Sequence, residues 1–336
     1  MAILEYAIEL GSSYTTIYEK GKGMVLREPT VIAVDAKSNE VKAVGNEAKK
    51  LVGKNSDNLS IVFPIKESQI ANSDLTVELL NHFIRKITPK RVVVPRIKFY
   101  LLVPIATTQK ELDEFKVVCY KAGVGEVIPI WNTLATAVGA GLPLTSADCS
   151  LIIDIGGGST NVSAVNLNGI IEGISVNASG YKLDTALIDY LATEKGIKVG
   201  YNTIEKIKEE IGSLYLNDSS STTINGKDTE SGLPKTIAIG AKDLYPTIKR
   251  SYLIIVDAVK AILQLLKDEI TIDVLEKGIF VVGGGALISG LAEFFGKELR
   301  IRTCIIDNPE FTTITGAGKL IENEKLLVEI LTAMDV

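Results

Sequence analysis

The residues of this 336-residue chain best suited to chemistry lie in one stretch, Asp154-Ile155-Gly156-Gly157-Gly158-Ser159-Thr160-Asn161-Val162. The apolar run Leu151-Ile152-Ile153 delivers Asp154 to the end of a predicted buried strand, where a bare carboxylate is costly to leave without a partner. Three glycines follow. They let successive backbone N–H groups approach an anion and form a concave nest for it, and Ser159 and Thr160 add hydroxyl donors. A tight hairpin would need one glycine. Three in a row after a strand-end aspartate point to phosphate, with Asp154 holding water on Mg²⁺, a cation that takes few protein carboxylates.

A shorter unit near the start repeats the plan: Ala7-Ile8-Glu9-Leu10-Gly11-Ser12-Ser13. Alone, Gly11, Ser12 and Ser13 suit a hairpin turn almost as well as a phosphate cradle. Paired with the central motif, which places its acid 145 residues after Glu9, they suggest two related lobes facing each other across a phosphate chain and its metal. A third glycine turn, Val282-Gly283-Gly284-Gly285-Ala286, lies between a predicted strand and a predicted helix. It lacks the Lys-Ser/Thr of a Walker A loop and the spacing of a dinucleotide fingerprint. It offers a flat surface against which a base or ribose could lie.

The elements that must hold these turns alternate short β runs with helical runs, which argues an α/β fold. YAIELG, TTIYEK and TVIAVD read as strands; FYLLVPIA is a strand followed by the helical QKELDEFKVVCYKAG, and VIPIW with NTLATAVGAG repeats that unit. The pattern is helical from Lys182 to Ile211, then polar and Gly/Ser-rich, a loop or hairpin. YLIIVDAVKAILQLLKDEI reads as one long amphipathic helix.

Length alone favours two lobes over a single core. With a net charge of −5, nothing favours nucleic acid as a partner. One histidine, His82, nearly excludes a Ser-His-Asp triad or a histidine metal site, and it suits helix-surface packing. Cys119, Cys149 and Cys304 form neither a disulfide framework nor a zinc pattern, as expected in a reducing cytosol. The start lacks the basic and apolar regions of a signal peptide, and no window approaches the ~18 apolar residues of a spanning helix. A cytoplasmic protein is the expectation.

The three turns, in this order, resemble phosphate 1, phosphate 2 and adenosine of the actin, sugar-kinase and heat-shock-chaperone superfamily. Within it, REPTVIAVD, AVGNEAKKLVG, LLNHFI, AVGAGLP, DIGGGSTNVSAVNLNGII, IEKIKEEIGSLY and VVGGGALISGL look like the MreB family of bacterial cell-shape proteins, from about Ala7 to about Leu320. The resemblance implies an actin-like ATPase fold, two lobes with four subdomains around a nucleotide cleft. It implies a first domain of residues 1–145 plus about 315–336, with subdomain IB at about 32–66. The second would be 146–314, with subdomain IIB at about 181–245. It carries ATP or ADP with Mg²⁺, and nucleotide contacts at Gly11, Ser12, Ser13, Gly156, Gly157, Gly158, Ser159, Thr160, Gly283, Gly284, Gly285 and Ala286. Glu205 and Lys208, on one helical face, stand at the family's ribose and base positions, although by pattern alone they are a solvated surface pair.

Three departures bear on mechanism. Where the family has an acid followed by proline, this chain reads Trp131-Asn132-Thr133, so Asn132 stands at the water-positioning glutamate and cannot take a proton. The usual phosphate 1 aspartate is Glu9, expected to reach the metal through water, and the usual Thr-Thr-Glu is Ser159-Thr160-Asn161, which makes Ser159 the second catalytic candidate the resemblance implies, beside Asn132. Loss of a general base typically costs ~10²–10⁴ in rate, so binding should persist and hydrolysis weaken. The resemblance implies a self-assembling filament protomer for shape or motility, close to the divergent members multiplied in wall-less swimming bacteria. A non-polymerising nucleotide-dependent regulator stays open, and so, less favoured, does a sugar-kinase-like phosphotransferase.

Two further segments remain. Lys90, Arg91, Arg96 and Lys98 surround Val92, Val93 and Val94, a basic-flanked apolar tip that suits the anionic inner face of a membrane and a solvated turn equally well. The tail LIENEKLLVEILTAMDV carries Leu320, Leu327, Leu331 and Met334 on one stripe and is expected to dock on the first lobe.

Overall fold

β1 (Ile3–Leu10) is a central strand, and Tyr6, Ala7 and Ile8 are buried in succession because both its faces are covered. The structure, a computed structural model, describes residues 3–54, 58–88, 95–143, 147–166, 169–332 and 334. β1 continues antiparallel into β2 (Tyr14–Glu19) and β3 (Gly23–Pro29). β4 (Ile32–Asp35), β5 (Val41–Val44), α1 (Asn46–Lys49) and β6 (Leu59–Val62) then build a small three-stranded sheet of order β5-β4-β6 with a helix against it. A two-residue turn joins β7 (Ile65–Lys66) to β8 (Gln69–Ile70).

Two strand–helix units complete the first lobe. α2 (Ser73–Ile87) is N-capped by Asn72 and precedes β9 (Arg96–Val103); α3 (Gln109–Lys121) starts with a Thr108/Glu111 capping box and leads into β10 (Glu126–Trp131). Each cap satisfies backbone donors that would otherwise lack partners, worth about 1 kcal/mol. α4 (Asn132–Gly139) follows at once.

The second lobe opens in the same way, with β11 (Ser150–Ile155), β12 (Thr160–Asn166) and β13 (Gly169–Val176) as an antiparallel meander. α5 (Gly180–Glu194), β14 (Ile197–Lys198), α6 (Tyr201–Ile211), β15 (Ser221–Asp228) and β16 (Pro234–Gly240) form its upper part. α7 (Ala241–Leu265), α8 (Asp268–Lys277), β17 (Ile279–Val282), α9 (Leu291–Leu299) and β18 (Thr303–Ile305) return to the main sheet. α10 (Thr312–Glu322) and α11 (Glu324–Thr332) close the described chain.

The internal echo in the sequence is a topological repeat. The first sheet has the order β10-β9-β1-β2-β3, and the second, read from its other edge, β18-β17-β11-β12-β13. In each, a three-strand meander is extended by two parallel strands beside its first member. Each lobe has its own apolar core. A third core joins them: α4, α10 and α11 lie with Ala7, Tyr100 and Leu102 of the first sheet and Ile152, Val165 and Val282 of the second. Leu320 and Leu327 are buried there with Leu331 and Met334 packed against them, so the tail docks back by its apolar stripe.

Two helical expectations are corrected. The run from Lys182 to Ile211 is broken, because Gly196 takes a left-handed φ of 61° and Ile197–Lys198 pairs with β15. The long helix begins at Ala241, well before Tyr252, with Pro246 tolerated in its second turn, and it stops at Leu265, where the extended Leu266 lets a separate α8 form. The polar stretch between them is the β15–β16 hairpin. Val92, Val93 and Val94, with Lys90 and Arg91, lie outside the described residues.

Candidate functional site

Glu9 and Asp154 occupy the same position in two equivalent hairpins. Glu9 pairs with Thr16 and Asp154 with Asn161, each one residue from the end of the central strand of its sheet. The turns that follow close alike: Gly11 N–H donates to the Tyr14 carbonyl at 3.1 Å, and Gly156 N–H to the Ser159 carbonyl at 3.0 Å. The carboxyl ends of central strands are where open α/β sheets place ligands. Here both ends face one cleft.

That cleft is a cavity of about 580 Å³, the size of a small-molecule site. Its wall includes Glu9, Gly11, Ser12, Ser13, Asp154, Gly156, Gly157, Glu205, Lys208, Gly283, Gly284 and Gly285, residues drawn from all three glycine turns and from α6. The two phosphate-type turns touch: a Cβ on Gly157 would overlap the Ser13 side chain, and one on Gly158 that of Ser12. Gly283, at a left-handed φ of 84°, backs onto Asp154 and the Ile155 backbone, where any side chain would collide. The Tyr252 hydroxyl holds the same turn by donating to the Gly285 carbonyl at 2.7 Å.

The remaining sequence candidates are not on the cleft wall. Thr160 is buried and donates its hydroxyl to the Ala178 carbonyl, a bond within the lobe. Ala286 is buried beneath the third turn. Ser159 points its hydroxyl at Ser68, 2.9 Å away, and Gly158 packs behind Ser12. Asn132 opens α4 and is nine-tenths buried, its side-chain oxygen without a hydrogen-bond partner; Asn161 on β12 has the same orphan oxygen. Two buried acceptors lacking donors are polar features that a bound water or ligand group would satisfy.

Electrostatics favour a cation between the two lobes. Burial pushes the Glu9 carboxyl up to about 8, the negative charge of Asp154 adds to this, and Arg27 opposes it. Burial likewise pushes Asp154 up to about 6. A divalent ion would relieve both the burial penalty and the repulsion. Two carboxylates beside paired glycine turns have the chemistry to hold Mg²⁺, which takes one or two carboxylates and otherwise keeps water and phosphate oxygens. No cluster of three or more His, Cys, Asp or Glu suited to a metal occurs among the described residues.

Both α6 candidates are engaged. Lys208 meets Asp184 of α5 at 2.7 Å, and Asp184 is buried, with its carboxyl raised by burial against the pull of Lys208. Glu205 meets Lys49 of α1 at 2.5 Å, an ion pair that crosses from one lobe to the other. Around it, Asn202 donates to the Val52 carbonyl at 3.1 Å, and the Phe63 and Tyr201 rings approach to 6.0 Å.

The motifs did not disclose several wall residues. Asp184, Tyr201 and Thr313 come from helices whose buried faces read as ordinary packing. Arg27 brings a positive charge to the wall, its guanidinium held between the Tyr14 and Phe311 rings at 4.3 and 4.8 Å. A cation on a strand next to a glycine turn was the only available signal.

Two duplicated lobes, each presenting an acid and a glycine turn to a shared cleft, define the actin-like fold. The chain belongs to the MreB/Mbl family, whose model matches residues 4–329. It is 33% identical to the cell shape-determining protein MreB of Escherichia coli (strain K12), with 95% of this chain and 93% of that one covered. Against the cell shape-determining protein Mbl of Bacillus subtilis (strain 168) identity is 31%, covering 95% and 96%. The structure of MreB5 of Spiroplasma citri bound to ADP superimposes with a TM-score of 0.91 at 29% identity, covering 97% and 98%. A MamK double helical filament, with a TM-score of 0.81 at 18% identity over 96% and 99%, shares the fold.

Proposed function

We propose that this chain binds ATP and ADP with Mg²⁺ between its lobes and polymerises into cytoskeletal filaments that govern cell shape or motility, with weakened hydrolysis. The observation that carries the reading is the placement of Glu9 and Asp154 at equivalent hairpin positions on one cleft wall. Relatives support the reading: Spiroplasma citri MreB5 has been solved bound to ADP and to AMPPNP, and the MreB and Mbl relatives are named for determining cell shape.

In this reading Gly11, Ser12 and Ser13 receive one part of the phosphate chain and Gly156 and Gly157 the other. Asp154, and Glu9 through water, would hold Mg²⁺, which would supply positive charge against the phosphates. Glu205 and Lys208 face the ribose and base, with Gly283, Gly284 and Gly285 as the flat wall. Asn132 orients water and cannot take its proton, which slows phosphoryl transfer without abolishing the positioning on which that chemistry mostly depends. Residues 1–145 with about 315–336 form the first domain, and 146–314 the second. Membrane attachment through Val92, Val93 and Val94 rests on the sequence alone.

Electron microscopy of the purified protein with Mg²⁺ and ATP tests the assembly: filaments are expected, and dispersed particles at every concentration would favour a non-polymerising regulator. Asp154→Ala tests the site. Calorimetry should show Mg²⁺-dependent affinity lost, and unchanged affinity would remove Asp154 from the metal site.

A further inference from the structure

We propose that Ser68 is a positioning residue of the phosphate site, holding Ser12 of the first lobe and Ser159 of the second in register for a triphosphate. The proposal rests on the nucleotide reading above. Ser68 sits in the two-residue turn between β7 and β8, where Lys66 pairs with Gln69. Its backbone N–H donates to Ser12 Oγ at 3.0 Å, and its own hydroxyl meets Ser159 Oγ at 2.9 Å. One residue thus ties together two turns that lie on different sheets.

The backbone shows that this contact is maintained against a cost. Glu67 and Ser68 take φ values of 49° and 63°, the left-handed region that such hairpin turns usually fill with Asn-Gly or Asp-Gly. Neither residue is glycine, so the turn is strained, and strain of this kind persists only where the surroundings over-determine it. The surroundings here are the other lobe: Glu67 is gripped by Lys182 at 2.6 Å and by Asn177 at 3.2 Å. Both turn residues therefore reach across to the second lobe.

The hydrogen-bond polarity suits an anion. Because Ser12 Oγ accepts from Ser68 N–H, its own proton remains available to donate into the cleft, whose wall includes Ser12. Ser159 closes the second turn by accepting from Gly156 N–H through its carbonyl, so fixing Ser159 fixes the glycines that face the ligand. Ser68 is absent from the wall and acts through these two residues. A triphosphate spans both turns and needs them in register; a diphosphate needs this less.

The test compares Mg²⁺–AMPPNP and Mg²⁺–ADP affinities by calorimetry in wild type, Ser68→Gly and Ser68→Ala, alongside melting temperatures. Glycine relieves the left-handed backbone and alanine does not, yet both lack the hydroxyl. Both should lower the preference for AMPPNP over ADP by about fivefold, the effect of one lost hydrogen bond, while Ser68→Gly melts at or above the wild-type temperature. If the preference is unchanged in Ser68→Gly, or falls only in the less stable Ser68→Ala, Ser68 has a purely structural role and the nucleotide reading stands. If the wild type binds neither nucleotide, both proposals fail together.

Discussion

Lys49 Nζ and Glu205 Oε2 meet at 2.5 Å between the two lobes, joining α1 of the first to α6 of the second. Glu205 is also on the cleft wall, so under the proposed nucleotide reading a ribose would compete with Lys49 for the same carboxylate. Both partners are mostly shielded from water, with side chains 27% and 20% exposed, so screening weakens this pair less than a surface one. Lys49 also lies 5.6 Å from the Tyr201 ring centroid, which adds a weaker contact between the same elements.

Lys49→Ala should therefore loosen the closed arrangement and speed nucleotide release by roughly three- to tenfold, the equivalent of about 1 kcal/mol. Stopped-flow displacement of a fluorescent nucleotide measures it. An unchanged dissociation rate would show that the bridge does not restrain the lobes.

How much of this was legible in the sequence depended on whether the signal was local. The three glycine turns and the 145-residue echo were legible, because a run of glycines after a strand-end acid exposes backbone donors that few ligands other than an anion can use. They led to the paired sheets and the cleft. The β7–β8 turn was not, since Lys66-Glu67-Ser68-Gln69 carries none of the glycine or asparagine that marks a hairpin. Lys208 looked like a surface cation because its partner Asp184 sits on another helix, a contact only tertiary packing creates. Glu205 and Lys208 do share a helical face, as their spacing required, but the partners on that face come from elements far away in sequence.

Glu9 gives the nucleotide-free protein a pH dependence of predictable sign. Its carboxyl ionises near 8 in the fold and near 4.5 in its ordinary state, so between these values the folded protein holds the extra proton. Stability then falls as pH rises through that window, and Asp154, raised to about 6, adds to the fall at its lower end. Glu9→Gln cannot ionise, so it should flatten the upper part of the slope and gain about 1 kcal/mol near pH 8, a modest figure because the cleft opens to water. Thermal melts without nucleotide from about pH 5 to about pH 9 check this. A wild type that becomes more stable across the same range would contradict the burial of Glu9.

Asn132 carries the sharpest prediction about hydrolysis. It opens α4 directly after β10, with its side-chain oxygen buried and unpartnered, and Asn161 presents a similar oxygen from β12. An amide at this place can orient water but cannot accept its proton. Asn132→Glu would place a base at this point, and burial should raise its pKa toward neutrality, where a general base works best. Steady-state phosphate release should be slow in the wild type and at least about tenfold faster in Asn132→Glu, part of the usual general-base factor. The gain should fall short of the whole factor, because Thr133 beside it is tied to Ser163 at 3.0 Å, which limits how far the new side chain can adjust. The substitution should also lower the melting temperature, since a buried carboxylate without a partner is costly. Wild-type filaments should outlast those of Asn132→Glu after ATP is added, as hydrolysis lags behind assembly. A brisk wild-type rate that Asn132→Glu lowers or leaves unchanged would mean that another residue positions the water.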